Sequence, residues 1–271
     1  MKNGTPLPAS GPPPVHRKSK PPQACTGLRL ALLALLTGFV MVATTACGSP
    51  PPQVVTRLEV DRSASSALWR TNTLTNLQTV LDSVEHERGR LVIATIDDNS
   101  LAHDVQRIDA DFAVDDGGNS VLHRRLVAQV RSRVTATVTQ LLAEPRPAPS
   151  TDVFGALVAA AQYLQQLPSD RPKRIVFLSD MVNTAGGPGR NLTAGDWNDP
   201  TARAALLTTL RTDGLVPDLH DVQVVVAGAG LTAGRTLTAA QLQGIREFWT
   251  QLFRSAGVSD LRYGSVLATD A

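Results

Sequence analysis

The chain is expected to form an α/β domain in which a doubly wound, mostly parallel sheet is flanked by helices, a Rossmann-like arrangement. Two observations carry that expectation. Segments of strand type and of helix type alternate from residue 54 to residue 267, as a sheet wrapped by crossover helices requires. The run Ile175-Val176-Phe177-Leu178 is apolar without alternation, which suits a strand covered on both faces.

Each element follows from its own pattern. Val54 to Val60 reads as the first strand, and Leu74, Leu77, Leu81 and Val84 place an apolar stripe on the helix after it. Leu91 to Ile96 is a second strand. Gln106 to Val114 is a third, at an edge, because it alternates and runs into the turn-forming Asp115-Asp116-Gly117-Gly118-Asn119. Leu122, Leu126, Val130, Val134, Val138 and Leu141 mark a long helix, stopped by Pro145, Pro147 and Pro149. Those prolines make the loop that delivers Thr151 to a helix over 153–167. A strand over 174–179, a helix near 200–213 and a strand from Val222 to Ala227 follow. Thr238-Ala-Ala-Gln241 is a capping box that opens the last long helix. Leu242, Ile245, Trp249 and Leu252 turn toward the sheet, and Gly257 ends the helix. Leu261 to Val266 supplies the final strand. No internal repeat is present.

Three separated pieces offer oxygen donors at the ends of strands: Asp61, Ser63 and Ser65 after the first, Thr151 at a loop-to-helix junction, and Asp180 after the run 175–178. In a tight loop leaving a strand alternate residues point the same way, so Asp61, Ser63 and Ser65 can converge while Arg62 and Ala64 face elsewhere. A hard dication such as Mg²⁺ takes a near-octahedral oxygen shell at about 2.1 Å and keeps some waters, which suits a few hydroxyls and carboxylates better than a closed cage.

Asp61-x-Ser63-x-Ser65, the later Thr151-Asp-Val-Phe-Gly-Ala-Leu157 and the later Leu178-Ser-Asp180 together resemble the von Willebrand factor type A family over roughly residues 54 to 267. In that family these positions form the metal-ion-dependent adhesion site. The resemblance implies that Ser63, Ser65 and Thr151 coordinate Mg²⁺, Mn²⁺ or Ca²⁺ directly, that Asp61 and Asp180 act partly through waters, and that an acidic residue of a protein partner completes the shell. Two positions depart from the family's pattern. Arg57 and Glu59 fall inside a first strand that should be central and apolar, and Met181 stands where the family often has Gly.

The N-terminal region addresses the chain to an export route. Residues 28–46 carry one charge, Arg29, near their start and follow the basic Arg17-Lys18-Ser19-Lys20, the layout of a secretory signal. The segment ends in Thr44-Thr45-Ala46-Cys47-Gly48-Ser49, which resembles a bacterial lipobox with Thr44 in place of the usual Leu. Residues 1–46 are therefore expected to be a lipoprotein signal peptide, 47–53 a lipidated Cys47 with a Pro-rich tether, and 54–271 the folded domain. The alternative is an uncleaved anchor, since about 19 apolar residues just span a bilayer. Cysteine usage agrees with lipidation: of Cys25 and Cys47 only the second survives processing, leaving no disulfide to form. The expected location is the extracytoplasmic face of a bacterial membrane.

Charge and motif content exclude several functions. Five of the 26 Lys and Arg (Lys2, Arg17, Lys18, Lys20, Arg29) and none of the 24 Asp and Glu lie in 1–46, so the formal +2 becomes −3 for the remainder. No basic patch interleaved with aromatics appears, and nucleic acid is not expected as a partner. Gly228-x-Gly230-x-x-x-Gly234 has neither the spacing nor the following acidic residue of a dinucleotide fingerprint and reads as a strand-to-helix connection. The five His show no zinc spacing. Asp97-Asp98 and Asp115-Asp116 fit turn chemistry. The Gly-, Asn- and Asp-rich segment from Asn183 to Trp197 borders Asp180, and partner contacts are expected at Asn183 and Trp197.

These expectations add up to a lipid-anchored, non-enzymatic module that binds a protein through a divalent cation. Two other readings stay open. One is a metal-free scaffold subunit of an envelope or transfer assembly. The other is a metal-dependent hydrolase using Asp61 and Asp180, which no nucleophile and base pair accompanies.

Overall fold

A computed structural model describes residues 53–63, 69–144, 148–231 and 237–267. All of them belong to one compact unit that begins at Ser49. The proposed signal segment, Cys47 and Ser65 lie outside the described residues. Among the described residues no helix is long and apolar enough to cross a membrane.

The described elements run β1 (Val55–Asp61), α1 (Arg70–His86), β2 (Arg90–Ile96), β3 (Ile108–Asp111), α2 (Ser120–Ala143), α3 (Val153–Gln165), β4 (Lys173–Leu178), α4 (Pro200–Thr212), β5 (Val222–Ala227), α5 (Ala239–Ser255) and β6 (Leu261–Gly264). The strands form one sheet in the order β3-β2-β1-β4-β5-β6. All neighbours pair in parallel except β2 and β3. The predicted doubly wound α/β sheet is therefore the observed fold.

β3 is shorter than the predicted 106–114 and runs antiparallel. The reason is the connection: residues 97–107 contain no helix, and a parallel return needs a crossover of about a dozen residues or more, usually helical. Both edge strands have only four residues, while the inner strands have six or seven.

Two apolar cores sandwich the sheet. On one face α3, α4 and α5 bury Phe154, Leu157, Leu206, Leu210, Phe248, Trp249 and Phe253 over Ile96, Ile175, Phe177, Val224 and Val226. On the other, α1 and α2 bury Leu77, Leu81, Val84, Val134 and Val138 over Leu58, Val60, Ile93, Val176 and Val225. The predicted stripe on α2 is displaced at its start, where Leu122 is 41% exposed and Val127 is buried instead. A 24-residue helix is about 36 Å long, and a seven-residue strand about 23 Å, so the first turn of α2 overruns the sheet.

The two charges in β1 are real core residues. Arg57 and Glu59 are 0% and 1% exposed on the face beneath α3, and the Arg57 Nε donates to Glu59 Oε1 at 2.7 Å. The same guanidinium donates to Asp104 in the loop after β2 and lies 5.1 Å from the centre of the Tyr163 ring. Burial pushes the Glu59 carboxyl above its ordinary value, and Arg57 pulls against that shift. A central strand accepts these residues because they arrive as a pair.

Candidate metal centre

The strand order reverses direction between β1 and β4, and in open α/β sheets ligands bind outside the carboxyl ends of the strands at such a switch point. Asp61 ends β1 and Asp180 lies two residues beyond the end of β4. The strands pair in register up to Val60 and Leu178, so both carboxylates emerge at the same crevice.

Both acids are held by the same device. The Asp61 Oδ1 accepts the Ser63 N–H at 2.8 Å, and the Asp180 Oδ1 accepts the Val182 N–H at 2.8 Å. Each carboxylate thus closes its own two-residue turn. A further bond joins the two loops: the Ser179 hydroxyl donates to Asp61 Oδ2 at 2.9 Å and accepts the Met181 N–H at 3.0 Å. Ser179 was not singled out from the sequence, where its only mark is a hydroxyl breaking an otherwise apolar strand end.

Thr151 is stitched to the loop after Asp180. Its N–H donates to Thr184 Oγ1 at 2.9 Å, and its carbonyl accepts the N–H groups of Thr184 and Ala185 at 2.9 and 3.1 Å. The preceding chain pairs with the first loop through Ala148 N–H to the Arg62 carbonyl at 3.2 Å. Asp152 then caps α3, accepting from Gly155 N–H at 2.9 Å and Ser100 N–H at 3.1 Å. Burial pushes the Asp152 carboxyl up, and those two N–H donors oppose the shift. A Cβ on Gly155 would lie 2.1 Å from Asp152 Oδ2, so the cap closes only over glycine.

The loops that carry the four described candidates are therefore joined by backbone and side-chain bonding, and Asp61, Ser63, Thr151 and Asp180 are all at most 2% exposed. The Thr151 hydroxyl is fully buried yet has no hydrogen-bond partner among the described residues. Burying an unsatisfied hydroxyl costs about 1–3 kcal/mol by mutational measures; the Thr56 and Thr95 hydroxyls share that state within the strands, whereas Thr151 sits in a loop bonded to the one that follows Asp180. Two carboxylates with neighbouring hydroxyls match the oxygen chemistry of a hard dication. The Tyr263 phenol is pushed above its ordinary value by burial and then by the Asp180 carboxylate.

The turn after Asp180 is strained. Met181 has φ 62°, a left-handed conformation that costs an ordinary L-residue roughly 1–2 kcal/mol. It stands where the family resemblance leads one to expect glycine, and the backbone keeps the glycine-like shape.

Asn183 and Trp197 serve the loop itself rather than an exposed contact. Asn183 is 0% exposed; its Oδ1 accepts the N–H groups of Val153 and Phe154 at the start of α3, and its amide donates to the carbonyls of Ala185 and Arg190. Trp197 is 6% exposed, donates its indole N–H to the Leu192 carbonyl at 2.7 Å and packs against Phe248. The physical reason is loop length: a long connection beside a crevice needs its own polar and apolar anchors. Elsewhere at this end of the sheet, Asp97, Asp98 and His103 bring one ligand atom each within 4.8 Å of one another. Asp97 also accepts the Asn99 N–H at 3.0 Å, the turn role its position implies.

No family profile matches the chain, and no curated protein matches it. Among solved structures the chain is similar to manganese-loaded TRAP protein of Plasmodium vivax, with 15% identity and TM-score 0.42 over 77% of this chain and 74% of that one. It is similar to the PilB minor pilin of Streptococcus sanguinis, with 14% identity and TM-score 0.44 over 82% and 58%. The pilus adhesin SpaC of Lactobacillus rhamnosus GG, in its open conformation, gives 13% identity and TM-score 0.42 over 79% and 28%. The chain thus spans little more than half of PilB and less than a third of SpaC.

Proposed function

We propose that this chain is a lipid-anchored, extracytoplasmic binding module of the von Willebrand type A kind, which engages a protein partner through a divalent cation and is not an enzyme. Asp61, Ser63, Ser65, Thr151 and Asp180 would hold Mg²⁺, or Mn²⁺ or Ca²⁺. The bound cation would supply an electrophilic position for an acidic residue of the partner. Cys47 would carry the lipid, with 47–53 as tether. The observation that supports this reading best is the buried Thr151 hydroxyl left without a partner among the described residues beside two buried carboxylates.

That observation sets a discriminating test, Thr151→Val, which keeps the side-chain shape and removes the oxygen. The wild type should gain thermal stability on adding Mn²⁺ or Mg²⁺, by mass action on the folded state. Thr151→Val should lose that gain, yet in chelator melt higher than the wild type, by about 2–4 °C for each kcal/mol of relieved desolvation. Calorimetry that detects no cation binding to the wild type would leave the metal-free scaffold as the better reading. For the anchor, Cys47→Ser should abolish lipid attachment measured by mass spectrometry.

A further inference from the structure

The strained turn at Met181 is not held by its own loop alone. Its carbonyl accepts the indole N–H of Trp249, from the middle of α5, at 2.8 Å. Trp249 is fully buried, lies 5.5 Å from Phe253 in a stacked pair and 5.0 Å from Phe154. The ring is fixed by packing, so its N–H has one available direction, and a buried indole N–H takes an acceptor where one is offered. Met181 itself is fully buried, which leaves its peptide no water to bond with.

One chain of bonds then runs from a core helix to both candidate acids. Trp249 holds the Met181 carbonyl. The Met181 N–H holds the Ser179 hydroxyl, which donates to Asp61 Oδ2. The next N–H, that of Val182, holds Asp180 Oδ1. If Met181 relaxed to negative φ, the peptides on either side of it would rotate, and both carboxylates would lose a donor. Glycine adopts positive φ at no steric cost, so a glycine at this position would need no such restraint.

We infer that Trp249 is a positioning residue for the metal centre: its indole N–H clamps Met181 in the left-handed turn that orients Asp180 directly and Asp61 through Ser179. The inference rests on the metal-binding reading proposed above. The strain at Met181 makes the clamp necessary, and the seat of α5 on the sheet thereby sets the geometry of a site to which α5 contributes no candidate ligand.

The test uses Trp249→Phe, which keeps an aromatic ring in the stack and removes the N–H. Mn²⁺ affinity by calorimetry should fall about tenfold, the equivalent of ~1.4 kcal/mol. Adding Met181→Gly to the same protein should bring affinity back to within about threefold of the wild type, because glycine holds the turn unaided. A purely packing role for Trp249 predicts no such rescue. Ser179→Ala tests the far end of the chain without disturbing the aromatic core, and it should weaken Mn²⁺ binding whichever residue occupies 181.

A second readout needs no metal. In chelator, the Val182 amide should exchange with solvent deuterium faster in Trp249→Phe than in the wild type, and return toward the wild-type rate with Met181→Gly. Equal affinity and equal Val182 exchange in Trp249→Phe and wild type would overturn the clamp. So would loss of both without rescue by Met181→Gly. A wild type that binds no Mn²⁺ but shows the exchange pattern would overturn the metal reading while leaving the turn restraint standing.

Discussion

The two faces of the sheet are built from different materials. The α3, α4 and α5 face is aromatic, with Phe154, Phe177, Trp197, Phe248, Trp249 and Phe253 in one cluster. The α1 and α2 face is aliphatic, with Phe112 as its one buried aromatic among the described residues. Both exclude water from the same strands. The aromatic face also donates hydrogen bonds into the loops at the crevice, through the indoles of Trp249 and Trp197, while α1 bonds the loop after β6 through the Asn76 amide. Aliphatic packing supplies stability with no direction, whereas a buried indole supplies both. The difference locates control of the candidate site on one side of the sheet.

Truncations tell the faces apart most forcefully. Phe154→Ala should cost about 3–5 kcal/mol and Leu81→Ala about 2–5 kcal/mol in chemical denaturation. The two losses overlap, but Phe154→Ala should also weaken Mn²⁺ binding, because the Phe154 ring packs on Trp249. Leu81→Ala should leave Mn²⁺ affinity within about twofold of the wild type, since Leu81 packs in the aliphatic core on the other face of the sheet. Equal effects on affinity would erase the distinction between the faces.

The next test concerns the ion pair buried between β1 and α3 on the aromatic face. Arg57→Met leaves Glu59 buried and unpaired, and should destabilise by about 3–5 kcal/mol. Arg57→Met with Glu59→Leu should recover most of that loss, because paired removal of a buried salt bridge is often neutral or better. Recovery measured by denaturation would show that β1 tolerates a fully apolar face and that the pair does not stabilise the fold. A double variant as unstable as the single would show that the Arg57 contact with Asp104 holds the loop after β2.

The smallest effect belongs to the β3 edge, where Asp109 is exposed. The side-chain bond from Arg90 holds the Asp109 carboxyl below its ordinary value of 3.8. A carboxyl lowered on folding contributes stability above its unfolded value and loses it as pH falls through the folded one. Asp109→Asn should therefore flatten the acid limb of a stability–pH curve slightly. The Asp109 side chain is 41% exposed, so solvent and salt screen the pair.

Much of this arrangement was legible in the residues, for reasons the elements make plain. β4 announced itself because a strand covered on both faces has no need of alternation, and the capping box Thr238–Gln241 forms as its sequence predicts. The ends of β1 and β4 are visible because each stretch of strand-type residues stops at an acid suited to closing a turn. Less visible were features that depend on partners distant in sequence. Nothing local to Arg57 and Glu59 reveals Asp104, and nothing local to Trp249 reveals that its N–H meets Met181. Asn183 and Trp197 look like solvated loop residues until the loop is seen folding over them. The antiparallel β3 follows from a missing helix rather than from any residue within it.

The four-residue edge strands have a consequence for the protein at high local concentration. Sheets join end on when an outer strand is long, flat and apolar enough to offer a stranger's backbone a stable register. Here the sheet's apolar content lies in strands that already have two neighbours. The outer ones carry Asp109 and Asp111 on one side and Arg262 on the other. Many copies crowded side by side can thus remain separate molecules, each keeping its crevice open, instead of zipping into a continuous ribbon.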